Sequence, residues 1–222
     1  MAIYLKKFEN HTQYDAYING SSAILPNVSI CTTEGDVHYN PSTPPPIIDG
    51  HEYVDLGLPS GTKWATMNVG ASSETDYGNY YQYGKGAAQY AATSGESIYS
   101  GTENPLATSV DTVAQVWGGQ WHLPTKTQFE ELTANTTYEW TTINGVNGGK
   151  FTSQNGNYVF FAATGRWYNG SQYNVGIGGR YWSSSFDSSD VQGAYDFAFS
   201  DGYKGMLNGG RESGYSVRGV VG

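Results

Sequence analysis

A proline-rich segment, PSTPPPII at residues 41–48, divides the 222-residue chain into two unequal parts. Its four prolines lack backbone N–H donors and favour extended geometry, so the segment is unsuited to the middle of a sheet. Such a composition is typical of a semi-rigid linker, which we place at residues 41–49. The sequence therefore predicts a short module at residues 1–40 and a main domain at residues 50–222.

Residues 1–40 contain short apolar runs that are broken by turn signals at Asn19-Gly20 and Gly35-Asp36. This pattern predicts a small β-rich module of two or three hairpins. Forty residues rarely hold a stable core alone, so we expect the module to pack on a partner chain or on the main domain, or to self-associate, with a trimer as the working guess. The N-terminus lacks the apolar region of a signal peptide, and we expect the mature protein to begin near residue 1.

Composition excludes several classes of partner for this chain. Charged residues make up 14% and the formal net charge is −9, so a nucleic-acid backbone is a poor ligand. No run approaches the ~18 apolar residues of a membrane span, and we predict none. The single cysteine, Cys31, excludes an intrachain disulfide and a metal site built from paired cysteines.

Two helices are predicted in the first half of the main domain. Thr125 and Gln128 have the spacing of a capping box, which predicts a helix over residues 126–135. A shorter helix is predicted over residues 110–117, where two glycines follow. Between residues 72 and 108 the chain is rich in glycine, tyrosine and serine without a sustained period, and we predict long ordered loops.

Strand patterns dominate beyond residue 137. The segments VFFAA (159–163), AYDFAFS (194–200) and SVRGVV (216–221) have the apolar or alternating character of strands. Polar, turn-rich segments between them read as loops. Two early helices and a late antiparallel sheet predict an α+β fold class.

Seven motifs occur in a fixed order along residues 51–220. They are HEYVDLGLPSGTKWATMNVGA (51–71), DYGNYYQYG (76–84), WGGQWHLPTKTQFEEL (117–132), TTINGVNG (141–148), RYWSSS (180–185), AYDFAFS (194–200) and GYSVRGV (214–220). Together they resemble the Fibrobacter major paralogous domain family of bacteria and phages. The resemblance implies a C-type-lectin-like domain with two helices, an antiparallel sheet and long ordered loops. Met67 and Thr136 stand where relatives usually have a cysteine pair, and His122 stands where they have arginine.

The segment at about residues 166–210 is rich in Tyr, Ser, Asn, Asp and Gly. In this respect it is similar to the variable proteins of diversity-generating retroelements from Bacteroides phage and prophage, and residues 1–40 resemble a module of Bacteroides-phage structural proteins. The resemblance implies a non-enzymatic, hypervariable receptor-binding protein on the surface of a phage particle. A bacterial surface glycan or protein would be its ligand, and residues 1–40 would join a virion structural protein.

Tyr, Ser and Asn are also the residues that binding loops favour, because they give contact area at low entropic cost. The candidate ligand-binding residues are Trp167, Tyr168, Asn169, Ser171, Tyr173, Asn174, Tyr181, Asp187, Ser188, Ser189, Asp190, Gln192, Asp196, Ser200, Asp201, Tyr203 and Lys204. The competing interpretation is that these residues form ordinary solvated turns. Most of the six tryptophans are expected in the core, with Trp167 as the one plausible surface aromatic.

Two alternatives stay open at this point. The chain could be a bacterial cell-surface adhesin or carbohydrate-binding module of the same fold. More distantly, it could be a formylglycine-generating-type enzyme, although that chemistry needs a catalytic cysteine pair. No cofactor, metal or catalytic residue is predicted, because the aspartates lack the spacing of a calcium loop and the histidines are scattered.

Overall fold

The computed structural model describes residues 45–86 and 98–222, together with the backbone of residues 28–30 and 37–39. The chain divides into two compact units, Met1–Pro45 and Pro46–Gly222. In the first unit β1 (Val28–Ile30) pairs antiparallel with β2 (Val37–Tyr39). Cys31 and both predicted turns of residues 1–40 lie outside the described residues, so the nature of that module stays a prediction.

Twelve strands and two helices form the second unit within its described residues. They are β3 (Ile47–Ile48), β4 (His51–Asp55), β5 (Lys63–Asn68), α1 (Thr112–Val116), α2 (Lys126–Asn135), β6 (Thr136–Ile143), β7 (Val146–Ser153), β8 (Tyr158–Ala162), β9 (Arg166–Tyr168), β10 (Ser171–Tyr173), β11 (Gly178–Phe186), β12 (Gly193–Ser200), β13 (Tyr203–Gly210) and β14 (Arg218–Val221). The sheets have the orders β14-β5-β4-β3, β6-β7-β8 and β11-β12-β13, and β9 and β10 form a separate hairpin. Their strands pair antiparallel.

The predicted α+β, C-type-lectin-like fold class is wrong. Strands account for 45% and helices for 9% of the structure, which is mostly β and contains several antiparallel sheets. The error lies in glycine-rich segments such as VNGGKFTS and YKGMLNGG, which read as loops but form β7 and β13. Glycine hides the alternation of a strand because it has no side chain. A Cβ at Gly148 would overlap the ring of Phe160, so the neighbouring strand requires glycine there.

The local helix and strand predictions are confirmed. In α2 the Thr125 hydroxyl accepts from the Gln128 amide at 3.2 Å, and the Gln128 side chain accepts from the Thr125 amide at 2.9 Å. The shorter helix α1 is present but begins later than predicted, because Asp111 caps it by accepting from the Ala114 amide at 3.0 Å. Strands β8, β12 and β14 occupy the three segments predicted as strands.

Aromatic side chains fill the core in two clusters. One contains Trp64, Phe129 and Phe161, and the other contains Trp121 and Trp182. The predicted core role is confirmed for these three tryptophans, which are at most 1% exposed. Each buried aromatic ring removes about 150–250 Å² from water, so the clusters supply a large part of the stabilisation.

A buried arginine connects three strands across the core. The guanidinium of Arg218 on β14 donates to the Asn68 side chain at 2.8 Å and to the Phe160 carbonyl at 2.9 Å. It also donates to the carbonyls of Ala65 and Thr66 at 2.9 and 2.8 Å. Burial lowers the pKa of Arg218 to about 10. These four hydrogen bonds fix β14, β5 and β8 relative to one another.

Within residues 45–86 and 98–222, no helix is suited to spanning a membrane. Neither α1 nor α2 combines the required length with sufficient apolar character.

Candidate functional site

The β9–β10 hairpin presents several of the predicted ligand-binding residues. Its turn is Asn169-Gly170, and both residues have positive φ angles, 48° and 73°. An Asn-Gly pair suits such a turn because both residues tolerate this conformation. The hairpin is fixed to the body of the unit by reciprocal backbone bonds between Trp167 and Gly214, at 2.8 and 2.9 Å. Its exposed side chains therefore project from a firmly bonded support.

Three tyrosines are exposed on this part of the molecule. Tyr168, Tyr173 and Tyr203 are 43%, 43% and 44% exposed. The guanidinium carbon of Arg166 lies 5.8 Å from the Tyr168 ring and 5.9 Å from the Tyr173 ring, within the range of cation–π attraction. The two hairpin tyrosines and Arg166 thus form one cluster.

A groove of about 390 Å³ lies beside this cluster. Its lining includes Arg166, Asn174, Ile177, Ser200, Tyr203 and Leu207. Three of these residues, Asn174, Ser200 and Tyr203, belong to the predicted ligand-binding set. The structure therefore brings residues from β9, β13 and the segment after β10 together around one concave surface.

A buried ion pair supports the groove from below. Arg180, which also lines the groove, donates to the two carboxylate oxygens of Asp196 at 2.6 and 2.7 Å. Asp196 is fully buried, and the Arg180 guanidinium lies 4.9 Å from the Tyr215 ring. Burial raises the pKa of Asp196, and the hydrogen bonds from Arg180 oppose that rise by favouring the carboxylate.

Three predicted ligand-binding residues are buried, which corrects their expected surface role. Tyr181 and Asp196 are 0% exposed and Asp187 is 7% exposed. The Tyr181 hydroxyl donates to the Ala162 carbonyl at 2.9 Å and accepts from Asn68 at 3.1 Å. Tyr181 and Asp196 are buried because both faces of β11 and β12 are covered, whereas Asp187 directly follows β11.

Asp187 has a structural role at the end of β11. It accepts from the Ser189 hydroxyl at 2.7 Å and from the Asn208 amide at 2.9 Å. The hydrogen bonds from Ser189 lower the pKa of Asp187. These contacts fix the turn that joins β11 to β12.

Not all of the exposed predicted residues lie near the groove. Ser188, Ser189, Asp190 and Gln192 are exposed, but they precede Gly193 at the start of β12. Ser200, at the other end of β12, lines the groove. Seven strand steps of about 3.3 Å separate the two ends by roughly 23 Å. The predicted surface is therefore divided, and residues 188–192 do not adjoin the groove.

The remaining predicted residues fall into two groups. Tyr168, Asn169, Ser171, Tyr173 and Asn174 are exposed on or just after the hairpin. Asp201, Tyr203 and Lys204 are exposed at the β12–β13 turn, with Ser200 beside them half-buried. Trp167 is half-buried and meets the ring of Tyr80 edge-on at 6.3 Å. We use the name hairpin face for these two groups of residues together with the groove.

Most of the groove lining was not predicted from the sequence, and four of the missed residues have long side chains suited to ligand contact. Arg166 and Arg180 place guanidinium groups in the lining, and Ile177 and Leu207, which are 67% and 39% exposed, supply apolar contact area. One signal was available, because arginine is conspicuous in a chain with only 14% charged residues. Which residues meet across separate strands could not be read from their spacing.

A second depression, of about 340 Å³, lies near the start of the unit and includes none of the predicted residues. His51 stacks there on Trp117, with ring centroids 4.0 Å apart. Burial lowers the pKa of His51, and the nearby Asp49 opposes that change. The stacking contact with Trp117 gives His51 a packing role.

Comparison of the chain with protein-family models, curated proteins and solved structures finds no match in any of the three. The motif resemblance described above therefore stays a prediction. The geometry of the hairpin face and its sequence pattern are the features of this chain that bear on function.

Proposed function

We propose that the chain is a non-enzymatic ligand-binding protein, displayed on the surface of a gut phage or prophage particle, and that the hairpin face contacts the ligand. The observation that supports this most directly is the exposure of three tyrosines at one groove: Tyr203 lines it, and Tyr168 and Tyr173 lie beside Arg166, which also lines it. Tyrosine is the side chain that binding surfaces use most for contact area at low entropic cost. Three of them beside one concave surface favour a binding role over a solvated turn.

Rigid support of the hairpin face favours the same function. The face is bonded to a core whose aromatic clusters and buried Arg218 hold several strands together. A preorganised surface loses less entropy on docking than a mobile one. Several copies on one particle would further raise the avidity of weak individual contacts.

Diversification by a retroelement is part of the proposal. The residues of the hairpin face are mainly Tyr, Asn, Ser and Asp, which are the types that adenine-directed mutagenesis of Asn codons yields. Exposed positions with few contacts to the core tolerate exchange within about 0.5 kcal/mol each. The ligand would then be a bacterial surface glycan or protein that differs between variants, with residues 1–40 joining the particle.

Binding of the purified chain to whole cells tests the proposal. A triple variant with Tyr168→Ala, Tyr173→Ala and Tyr203→Ala is compared with the wild type on a panel of Bacteroides strains. Tyr158→Ala is the matched control, because Tyr158 is 36% exposed but lies on β8, outside the hairpin face. We expect the triple variant to lose binding and the control to keep it. Unchanged binding of a correctly folded triple variant would refute the proposal.

A further inference from the structure

We infer that the groove of the hairpin face binds the carboxylate group of an acidic sugar and that Arg166 recognises the charge. The inference rests on the proposed function, because it assigns a chemical class of ligand to the same surface. Three features support it: the charge balance of the groove, the environment of Arg166, and the size and lining of the cavity.

The groove has one unneutralised positive charge: Arg166 and Arg180 carry two positive charges, and Asp196 carries one negative charge. Arg180 is neutralised by Asp196 in the bidentate pair beneath the groove. Arg166 forms no ion pair with any carboxylate in residues 45–86 and 98–222. At the rim, the exposed Asp201 and Lys204 carry opposite charges. In a chain whose net charge is −9, a locally positive groove favours an anionic ligand.

The environment of Arg166 suits recognition of a carboxylate. Its guanidinium carbon lies 5.8 and 5.9 Å from the ring centroids of Tyr168 and Tyr173, which are its neighbours on the hairpin. The Nε atom is buried and has no hydrogen-bond partner among the described residues. The planar fork of an arginine matches the two oxygens of a carboxylate, and such charge-assisted bonds are about twice as strong as neutral ones. Arg166 also lines the groove, so the guanidinium edge that faces the cavity is the group that would meet a ligand.

The size and lining of the groove favour a sugar ring as the carrier of that carboxylate. A volume of about 390 Å³ is near the lower end of the range for small-ligand sites, so the groove accommodates one small unit. Asn174, Ser200 and Tyr203 offer amide and hydroxyl groups that both donate and accept. Ile177 and Leu207 present apolar surface, against which the C–H face of a pyranose can pack. Alternating polar and apolar contacts of this kind fit a sugar better than a purely anionic group.

Matched oligosaccharides test the inference. The full chain is titrated calorimetrically with oligosaccharides that end in glucuronate, galacturonate or sialate, each paired with its carboxyl-reduced form, and with an oligoglutamate peptide. We expect at least one acidic sugar to bind about ten-fold or more tightly than its reduced form, as a charge-assisted hydrogen bond implies. Arg166→Gln should remove that preference, and Arg166→Lys should keep part of it.

Lys150→Gln is the matched control. Lys150 is also half-buried, and its ammonium group lies 4.5 Å from the ring centroid of Tyr158. Both residues belong to the β6-β7-β8 sheet, outside the hairpin face. Lys150→Gln should leave the preference unchanged, and thermal unfolding confirms that each variant is folded. The inference is overturned if no acidic sugar binds better than its reduced form, if Arg166→Gln keeps the preference, or if the peptide binds more tightly. If the tyrosine variant still loses cell binding, the proposed function survives such a result.

Discussion

Replacing Asp196 with alanine should destabilise the chain strongly, although the sequence pattern placed Asp196 among the exposed ligand-binding residues. The carboxylate is 0% exposed and accepts two hydrogen bonds from Arg180, at 2.6 and 2.7 Å. Each hydrogen bond to a charged group contributes about 1.5–3 kcal/mol, and breaking one side of a buried pair costs about 3–5 kcal/mol. The side chain of Arg180 is 21% exposed and can regain some hydration, so we expect about 3 kcal/mol.

Urea-induced unfolding of three chains measures this effect. Asp201→Ala is the control, because Asp201 is exposed in the turn after the same strand and should change the free energy of unfolding by less than about 0.5 kcal/mol. Asp196→Asn keeps the shape and should lie between the two. A loss below about 1 kcal/mol for Asp196→Ala, or one equal to that of Asp201→Ala, would refute the assigned role of the ion pair.

Three further results are expected. Thr125→Ala removes the capping box of α2 and should lower the free energy of unfolding by about 1 kcal/mol in a denaturant titration. His51 should titrate by NMR below its ordinary pKa of 6.5, since burial favours the neutral ring. Its contribution to stability is complete above pH 6.5 and decreases as the pH falls through the lowered pKa, and His51→Gln should remove that part. In thermal unfolding, Gly165→Ala should lower the stability of the chain more than Gly170→Ala. Both glycines have positive φ angles. A Cβ at residue 165 would overlap a backbone carbonyl, whereas a Cβ at residue 170 would meet nothing within 4 Å.

Local signals in the sequence predicted local structure well. The capping box at Thr125 and Gln128 depends on two residues of one turn, and α2 begins where it predicts. The alternating segment at residues 194–200 forms β12 because Phe197 and Phe199 pack in one core cluster. Such elements could be predicted because their determinants are close together in the chain.

The fold class could not be predicted in the same way. Gly148 in β7 and Gly209 in β13 leave no room for a Cβ, because the Phe160 ring and the Asp196 carboxylate on neighbouring strands occupy that space. The need for glycine at such a position is visible only once the strands are paired. Sheet formation by glycine-rich segments is therefore a tertiary effect, and their composition alone favoured the wrong interpretation as loops.

Only part of the candidate site could be predicted, and the rest could not for a similar reason. Tyr168, Tyr173 and Tyr203 are exposed as expected. Asp196 alternates with phenylalanines and so was expected to face solvent, but Arg180 covers that face of β12. Residues 188–192 are exposed at the far end of the strand. Alternation predicts the two faces of a strand, and it gives no information about what packs on the second face.

We expect the rigid core to carry an exposed face whose residues can be exchanged without loss of the fold. One chain with Tyr168→Ser, Ser171→Tyr, Tyr173→Asn and Tyr203→Asp tests it, because all four positions are exposed. We predict that the free energy of unfolding changes by less than about 1 kcal/mol while binding to the original bacterial strain is lost. A loss of several kcal/mol, or retained binding by a chain of unchanged stability, would contradict the account.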